Sequence, residues 1–158
     1  MFHLILKLVP ASVHRALLPI AHRIRRRWRM FRKVPLRGVS VILTDDKGRV
    51  LLLRHSYGRP VWALTGGGLS LTENAEEGAR REVFEELGLE IGELTLLQEL
   101  DEVISGSPHT AYVYAAHCNG TPTPDQREIL EARFFARDAL PDNLSALTLH
   151  RLALLDFD

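Results

Sequence analysis

The alternation of apolar and polar positions divides the chain into elements before any chemistry is considered. Gly38 to Thr44 (GVSVILT) and Val50 to Arg54 (VLLLR) are aliphatic and β-branched runs separated by Asp45-Asp46-Lys47-Gly48, a turn signal, and together they predict a hairpin. Val61 to Leu64 predicts a short strand that feeds the glycine-rich stretch Gly66-Gly67-Gly68. Asn74 followed three residues on by Glu77 is a capping-box pattern, and Gly88 suits the left-handed position past a last turn, so a helix is expected from Ala75 to Leu87. Val83, Phe84 and Leu87 are expected to pack that helix on the core. Leu94 to Val103 and Thr110 to Cys118 read as a second hairpin with residues 105–109 as its loop, and Ala132 to Ala136 as a last short strand. Ser145 to Leu155 carries Leu147, Leu149, Leu152, Ala153 and Leu155 in a pattern suited to a closing helix. Strands on both sides of one central helix, with a helix at the end, predict an α/β fold: a mixed β-sheet sandwiched between helices in an α/β/α arrangement, its strand order open.

The first 35 residues follow a different pattern. Val13, Leu17, Ile20, Ile24, Trp28 and Phe31 form a helical stripe flanked by arginines, a basic amphipathic helix that Pro19 either kinks or begins. The expected division is a basic arm over residues 1–35 and a globular domain over 36–158. Phe2 to Val9 is far shorter than the roughly 18 apolar residues of a membrane span, and its charge follows the apolar run, unlike an export signal.

Composition sharpens this division. The 158 residues, 46% hydrophobic, suit one domain with a buried core. Net charge is zero, yet residues 1–37 hold ten Lys and Arg and no Asp or Glu, leaving ten basic against twenty acidic residues beyond them. Such asymmetry points to a polyanionic partner for the arm, RNA or an anionic membrane surface, or to an arm folded back on its own acidic domain. The single Cys118 excludes a disulfide framework and a thiolate zinc cluster. A cytoplasmic location is the default, with peripheral attachment at a membrane as the alternative.

The chemistry concentrates on the predicted central helix. Glu82, Glu85 and Glu86 stand at i, i+3 and i+4, which places three carboxylates on one arc of roughly 100°. Like charges so close need a cation, and a hard divalent ion with oxygen ligands answers that need. The preceding glycines leave backbone free to approach a phosphate.

The stretch Gly67 to Leu89 (GGLSLTENAEEGARREVFEELGL) resembles the signature of the Nudix hydrolases, G-x5-E-x7-R-E-U-x-E-E-x-G-U with U aliphatic. Gly67, Glu73, Arg81, Glu82, Val83, Glu85, Glu86, Gly88 and Leu89 occupy all nine fixed places. Such a match has a chance probability on the order of 10⁻⁸ to 10⁻⁷ at average residue frequencies. Thr65 and Thr72 stand where family members often have Pro and Gly. The resemblance implies the α/β/α fold and hydrolysis of a diphosphate linkage in a nucleoside diphosphate joined to another moiety. Water would attack phosphorus, with Mg²⁺ or alternatively Mn²⁺ held by Glu82, Glu85 and Glu86. Glu82 would serve as ligand or as base, and Arg81 with Glu73 as a structural pair fixing loop against helix. A further carboxylate is expected from the loop after this stretch, Glu128 first and Glu131 second. Arg54, His55 and Tyr57 are placed to grip phosphate and base beside Gly66, Gly67 and Gly68, while Trp62 reads as core and His117 has no metal-ligand spacing.

The marks of the ADP-ribose, NADH and coenzyme A subfamilies are absent from the positions where they would stand. The substrate is therefore a nucleotide-type small molecule of open identity, and the oligomeric state, a homodimer included, is open too. The alternative reading is a catalytically weak binding module of the same fold whose arm docks on RNA, an anionic membrane or a partner protein.

Overall fold

Aliphatic runs buried on both sides form the centre of a sheet, and the chain supplies them where the alternation placed them. The computed structural model describes residues 36–104 and 106–155, and the basic amphipathic segment expected over residues 1–35 lies outside these. The elements in order are β1 (Leu36–Thr44), β2 (Val50–His55), β3 (Trp62–Ala63), β4 (Gly68–Leu69), α1 (Ala75–Leu87), β5 (Leu94–Ile104), β6 (Ser107–His117), β7 (Ile129–Phe135), a 3₁₀ turn at Arg137–Ala139, and α2 (Ala146–Leu152). Among the described residues no helix is long and apolar enough to cross a membrane.

The strands form one mixed sheet in the order β3-β2-β1-β6-β5, with β7 on β2 and β4 on β1. The β1–β6 pair is parallel over its whole length, Leu36 opposite His109 through Thr44 opposite His117, and the other pairs are antiparallel. Burial on both faces explains why β1 and β2 read as continuous aliphatic runs. Val39, Val41 and Leu43 of β1 join Leu51 and Leu53 of β2 in the core under α1, whereas Ile42, Val50 and Leu52 face the other way with Trp62 and Leu152. The predicted sandwich is therefore present, α1 on one face and α2 on the other.

The helix α1 begins and ends as its caps dictate. The Asn74 side chain accepts from the Glu76 and Glu77 amides, and Gly88, at φ +64°, donates its amide to the Phe84 carbonyl. Its buried arc is Ala75, Gly78, Ala79, Val83, Glu86 and Leu87. The expectation for Phe84 is overturned: it is 58% exposed. Successive helical residues are about 100° apart, so once Ala79, Val83 and Leu87 face the sheet Phe84 must turn outward.

The same correction applies to α2, where Thr148, Arg151 and Leu152 are buried while Leu147 and Leu149 are 41% and 54% exposed. The second hairpin is tighter than expected, leaving only positions 105 and 106 between strands, and β7 starts earlier, at Ile129, because it pairs with β2 along that strand's full length.

Candidate active site

The β1–β2 hairpin is paired only at its turn end, Thr44 opposite Val50, and the two strands then part. Into that gap comes the segment from Thr65 to Leu69. The Val41 amide donates to the Thr65 carbonyl and the Val39 amide to the Gly67 carbonyl, both at 2.9 Å, and β4 completes the pairing with Arg37 and Gly38. This close approach sets the glycines. Gly66 sits at φ +148°, and a Cβ there would lie 2.2 Å from the Val39 carbonyl oxygen, while one on Gly67 would lie 2.4 Å from Glu82 Oε1. Around Gly68 the space for a Cβ is open. Two of the three glycines thus serve packing against the strand and the helix, and the third faces outward.

The segment lies beside the acidic arc of α1. Arg81 donates from Nε to Glu73 Oε1 at 2.8 Å, and from Nη1 to Glu82 Oε1 at 2.8 Å and Glu85 Oε2 at 3.1 Å, tying the entry loop and two of the carboxylates to one guanidinium. Glu73 also accepts the Ser70 amide at 3.0 Å, which closes the loop onto the helix. Glu86 turns into the protein: it is 8% exposed, and its Oε2 accepts from the Thr65 hydroxyl and from the Gly66 amide. Burial pushes Glu86 up to about 8, opposed by the Thr65 hydrogen bond and reinforced by the charge of Glu82. Burial also raises Glu82, against the pull of Arg81 and with the push of Glu85 and Glu128.

Glu128 therefore lies near enough to act on both Glu86 and the partly buried Glu82, through the loop that follows α1. That loop is fastened to the helix by the Thr123 amide donating to the Leu87 carbonyl and the Asp125 amide to the Glu86 carbonyl. The Asp125 carboxylate accepts the amides of Arg127, Glu128 and Ile129, which fixes where Glu128 leaves the chain. Glu131 is turned elsewhere: it lies on β7 with Arg133 at 2.8 Å and Arg54 at 3.6 Å. Arg54 meets this carboxylate and the face of Trp62, while the Tyr57 ring lies tilted against His55 at 5.1 Å. Trp62 itself is buried core, and His117 pairs with Asp46 at the surface.

Among the described residues no three His, Cys, Asp or Glu side chains converge tightly enough to hold an ion as they stand, since Arg81 draws Glu82 and Glu85 one way and Thr65 draws Glu86 another. The donor chemistry nevertheless fits a hard divalent cation: carboxylate oxygens only, with Glu86 raised by burial and by the charges of Glu82 and Glu128, and Glu82 raised by partial burial and by the charges of Glu85 and Glu128.

A second set of residues, which the sequence reading missed, lines a cavity of about 240 Å³ on the α2 side of the glycine segment. Arg151 reaches it from α2, 5% exposed, donating from Nη1 to the Ser40 hydroxyl and from Nη2 to Glu102 Oε2 at 3.2 Å. His109 of β6 stands 3.6 Å from the same carboxylate, in room left by Gly38, where a Cβ would lie 2.8 Å from its Nε2. The signals were present: Gly38 and Ser40 interrupt the aliphatic β1 run on alternate positions, hence on one face, and Arg151 adjoins Leu152 in a helix read for its leucines.

The NUDIX domain family model matches residues 34–155. The oxidized purine nucleoside triphosphate hydrolase of Mus musculus is 32% identical over 107 residues, 65% of this chain and 67% of that protein. The RNA pyrophosphohydrolase of Hamiltonella defensa is 41% identical over 59 residues, 37% of this chain and 36% of that protein, so the chain spans about a third of that relative's length. In structure, the MutT NUDIX hydrolase of Burkholderia pseudomallei superposes with a TM-score of 0.69 at 30% identity, covering 77% of this chain and 98% of that one.

Proposed function

The chain belongs to the NUDIX family, and on that premise we propose that it hydrolyses a diphosphate linkage in a nucleoside diphosphate joined to another moiety, with Mg²⁺ as its divalent ion. The observation that carries this reading is the buried Glu86, tied by the Thr65 hydroxyl and the Gly66 amide to the glycine segment and faced by Glu82 and Glu128. A buried acid among acids is stable as an anion only beside added positive charge. Glu82, Glu85 and Glu86 would hold that ion. Once bound, it supplies neutralisation of the diphosphate and a lowered pKa for water.

The chain's own groups do the rest. Arg81 bonds Glu73 through Nε and Glu82 and Glu85 through Nη1, so the loop would stay fastened by Nε if the latter two carboxylates turned to hold the ion. The open flank of Gly68 admits phosphate oxygens. Glu128, or Glu82 where it is not a ligand, accepts the proton of the attacking water, and the products are two phosphorylated fragments. Arg54 can leave the half-exposed Glu131 to meet phosphate, with Tyr57 beside the base. The match beginning at residue 34 supports a boundary near residue 35, before which the basic arm would act only in positioning the domain on RNA or an anionic membrane.

The test is a substrate panel with purified protein: nucleoside triphosphates, nucleoside diphosphate sugars and 5′-triphosphate RNA, with and without Mg²⁺ and with Mn²⁺ in its place. Metal-dependent release of phosphorylated products from one class supports the proposal. No turnover anywhere overturns it and leaves the binding module.

A further inference from the structure

Arg37 lies on β1 two residues before Val39, in phase with the stripe Val39, Val41 and Leu43 that faces α1, so a valine there would lengthen the aliphatic run. An arginine stands there instead, and its guanidinium is directed at the turn that leads into α1. Nη1 donates to the Glu73 carbonyl at 3.0 Å and to the Ser70 and Leu71 carbonyls at 3.3 Å each, while Nη2 reaches the Tyr112 hydroxyl at 3.4 Å. The Tyr112 ring backs the group, its centroid 5.3 Å from Arg37 Cζ, which limits the directions the guanidinium can take.

That turn has little else to give it shape. Ser70, Leu71 and Thr72 are exposed, Leu71 by 75%, and the apolar anchor beside them is Leu69, which lies against Gly78 of the helix before the turn begins. The Glu73 amide donates to the Ser70 carbonyl at 3.3 Å and the Ser70 amide to Glu73 Oε2 at 3.0 Å, so both of these bonds close the turn on itself. Among the described residues, Arg37 supplies the hydrogen bonds that fasten residues 70–73 to the sheet. The consequence runs to the acidic arc. Glu73 Oε1 accepts from Arg81 Nε at 2.8 Å, and Arg81 Nη1 holds Glu82 and Glu85 at 2.8 and 3.1 Å. Two guanidiniums thus hold one residue, Arg37 by its carbonyl and Arg81 by its carboxylate. With Glu82 and Glu85 turned to an ion, Arg81 would keep Glu73 as its close partner beside the Gly68 carbonyl at 3.4 Å, and its place would follow the turn.

We propose that Arg37 is a positioning residue of the active site: by gathering the carbonyls of Ser70, Leu71 and Glu73 it sets the turn that presents Glu73 to Arg81, and through that pair it sets where Glu82 and Glu85 meet the ion. Its effect on turnover rests on the hydrolase reading above, whereas its effect on ion binding rests on the carboxylate set alone.

Arg37→Gln in the full-length protein removes both the charge and the planar fork. With Mg²⁺ it should lower kcat about tenfold to a hundredfold, the loss expected for a misplacement of about 1 Å, and leave KM within about threefold. The urea midpoint in EDTA should stay within about 0.5 M of wild type. Mn²⁺, followed by the paramagnetic resonance of the free ion, should bind this variant about tenfold more weakly. Arg37→Lys, whose ammonium can still meet carbonyls, should lie between the two proteins in kcat and in Mn²⁺ affinity. In a Glu73→Ala background, which cuts the connection to Arg81, adding Arg37→Gln should change both quantities by less than about twofold. A merely structural arginine would lower the urea midpoint and act equally in both backgrounds. Unchanged kcat and Mn²⁺ affinity in a folded Arg37→Gln, effects that multiply with those of Glu73→Ala, or a lysine no better than glutamine would each overturn the assignment. Should Arg37→Gln fail to fold by circular dichroism, Arg37→Lys takes its place: faster amide exchange at residues 70–73, with Mn²⁺ binding weakened only where Glu73 is present, supports the proposal, and unchanged exchange and binding overturn it. If the wild type binds Mn²⁺ but turns over no nucleotide, the hydrolase reading fails on its own and the Mn²⁺ titrations in the two backgrounds decide the role of Arg37. Absence of Mn²⁺ binding by the wild type overturns that role too.

Discussion

Replacing Glu86 by Gln should make the metal-free protein more stable at alkaline pH while abolishing its activity. Glu86 is 8% exposed, and burial lifts its carboxyl from an ordinary 4.5 to about 8. The folded state therefore binds a proton that the unfolded state releases between these values. Stability from this group is accordingly fully present below about 4.5 and is lost as pH rises through about 8. By pH 8 that loss is on the order of 4 kcal/mol, because each pH unit between the two values contributes about 1.36 kcal/mol. Glutamine keeps the shape and an oxygen for the Thr65 hydroxyl and Gly66 amide, yet has nothing to ionise. Glu73 and Asp45 have folded carboxyls below the ordinary range, so their contributions are lost only at more acid pH and do not overlap the window. Urea denaturation in EDTA at pH 5, 6, 7 and 8 should show wild type and Glu86→Gln close together at pH 5. By pH 8 the variant's midpoint should be higher by about 2 M, at a slope near 2 kcal/mol per molar. Added Mg²⁺ should close the gap from the wild-type side, because the ion binds the charged form. Parallel pH profiles for the two proteins in EDTA would refute the claim that this buried acid is held near neutrality.

Gly67→Ala should lower turnover at least tenfold with little change in melting temperature, since its Cβ meets the movable carboxylate of Glu82 rather than backbone; equal losses of both would mark the position as structural. Glu85→Gln, at a half-exposed site, should reduce kcat by several powers of ten at unchanged stability, each factor of ten being about 1.4 kcal/mol of barrier; nearly full Mg²⁺-dependent turnover would remove Glu85 from the ligand set. Deleting residues 1–33 should leave turnover of a small nucleotide within a few-fold while weakening salt-sensitive binding to RNA or anionic vesicles, measured by fluorescence titration; undiminished binding to both would end the positioning role of the arm.

What the sequence makes legible and what it hides separate along a physical line. Local rules were enough for α1, because Asn74 and Gly88 act on their own turns, and for the strands, because both-sided burial leaves an aliphatic run. Strand order was hidden because it depends on the parting of β1 from β2, a consequence of Thr65–Leu69 filling the gap that no hydropathy pattern encodes. The helix faces were misjudged for a further reason. An apolar-only count rotates α1 toward Phe84, since half of its buried arc is Ala75, Gly78 and Glu86, and it rotates α2 toward Leu147 and Leu149, away from Thr148 and Arg151. In each case the side chain that misled the count faces solvent, while a polar one is buried where a ligand would lie. Glu86 at the acidic arc, and Ser40 with Arg151 at the cavity, all break the local rule of the element that carries them. Each is stable there only through specific partners, Thr65 for the acid and Glu102 for the guanidinium. The residues hardest to place from periodicity are thus the ones whose placement has a cost that packing alone does not explain, and for Glu86 the proposed divalent ion is what would offset it.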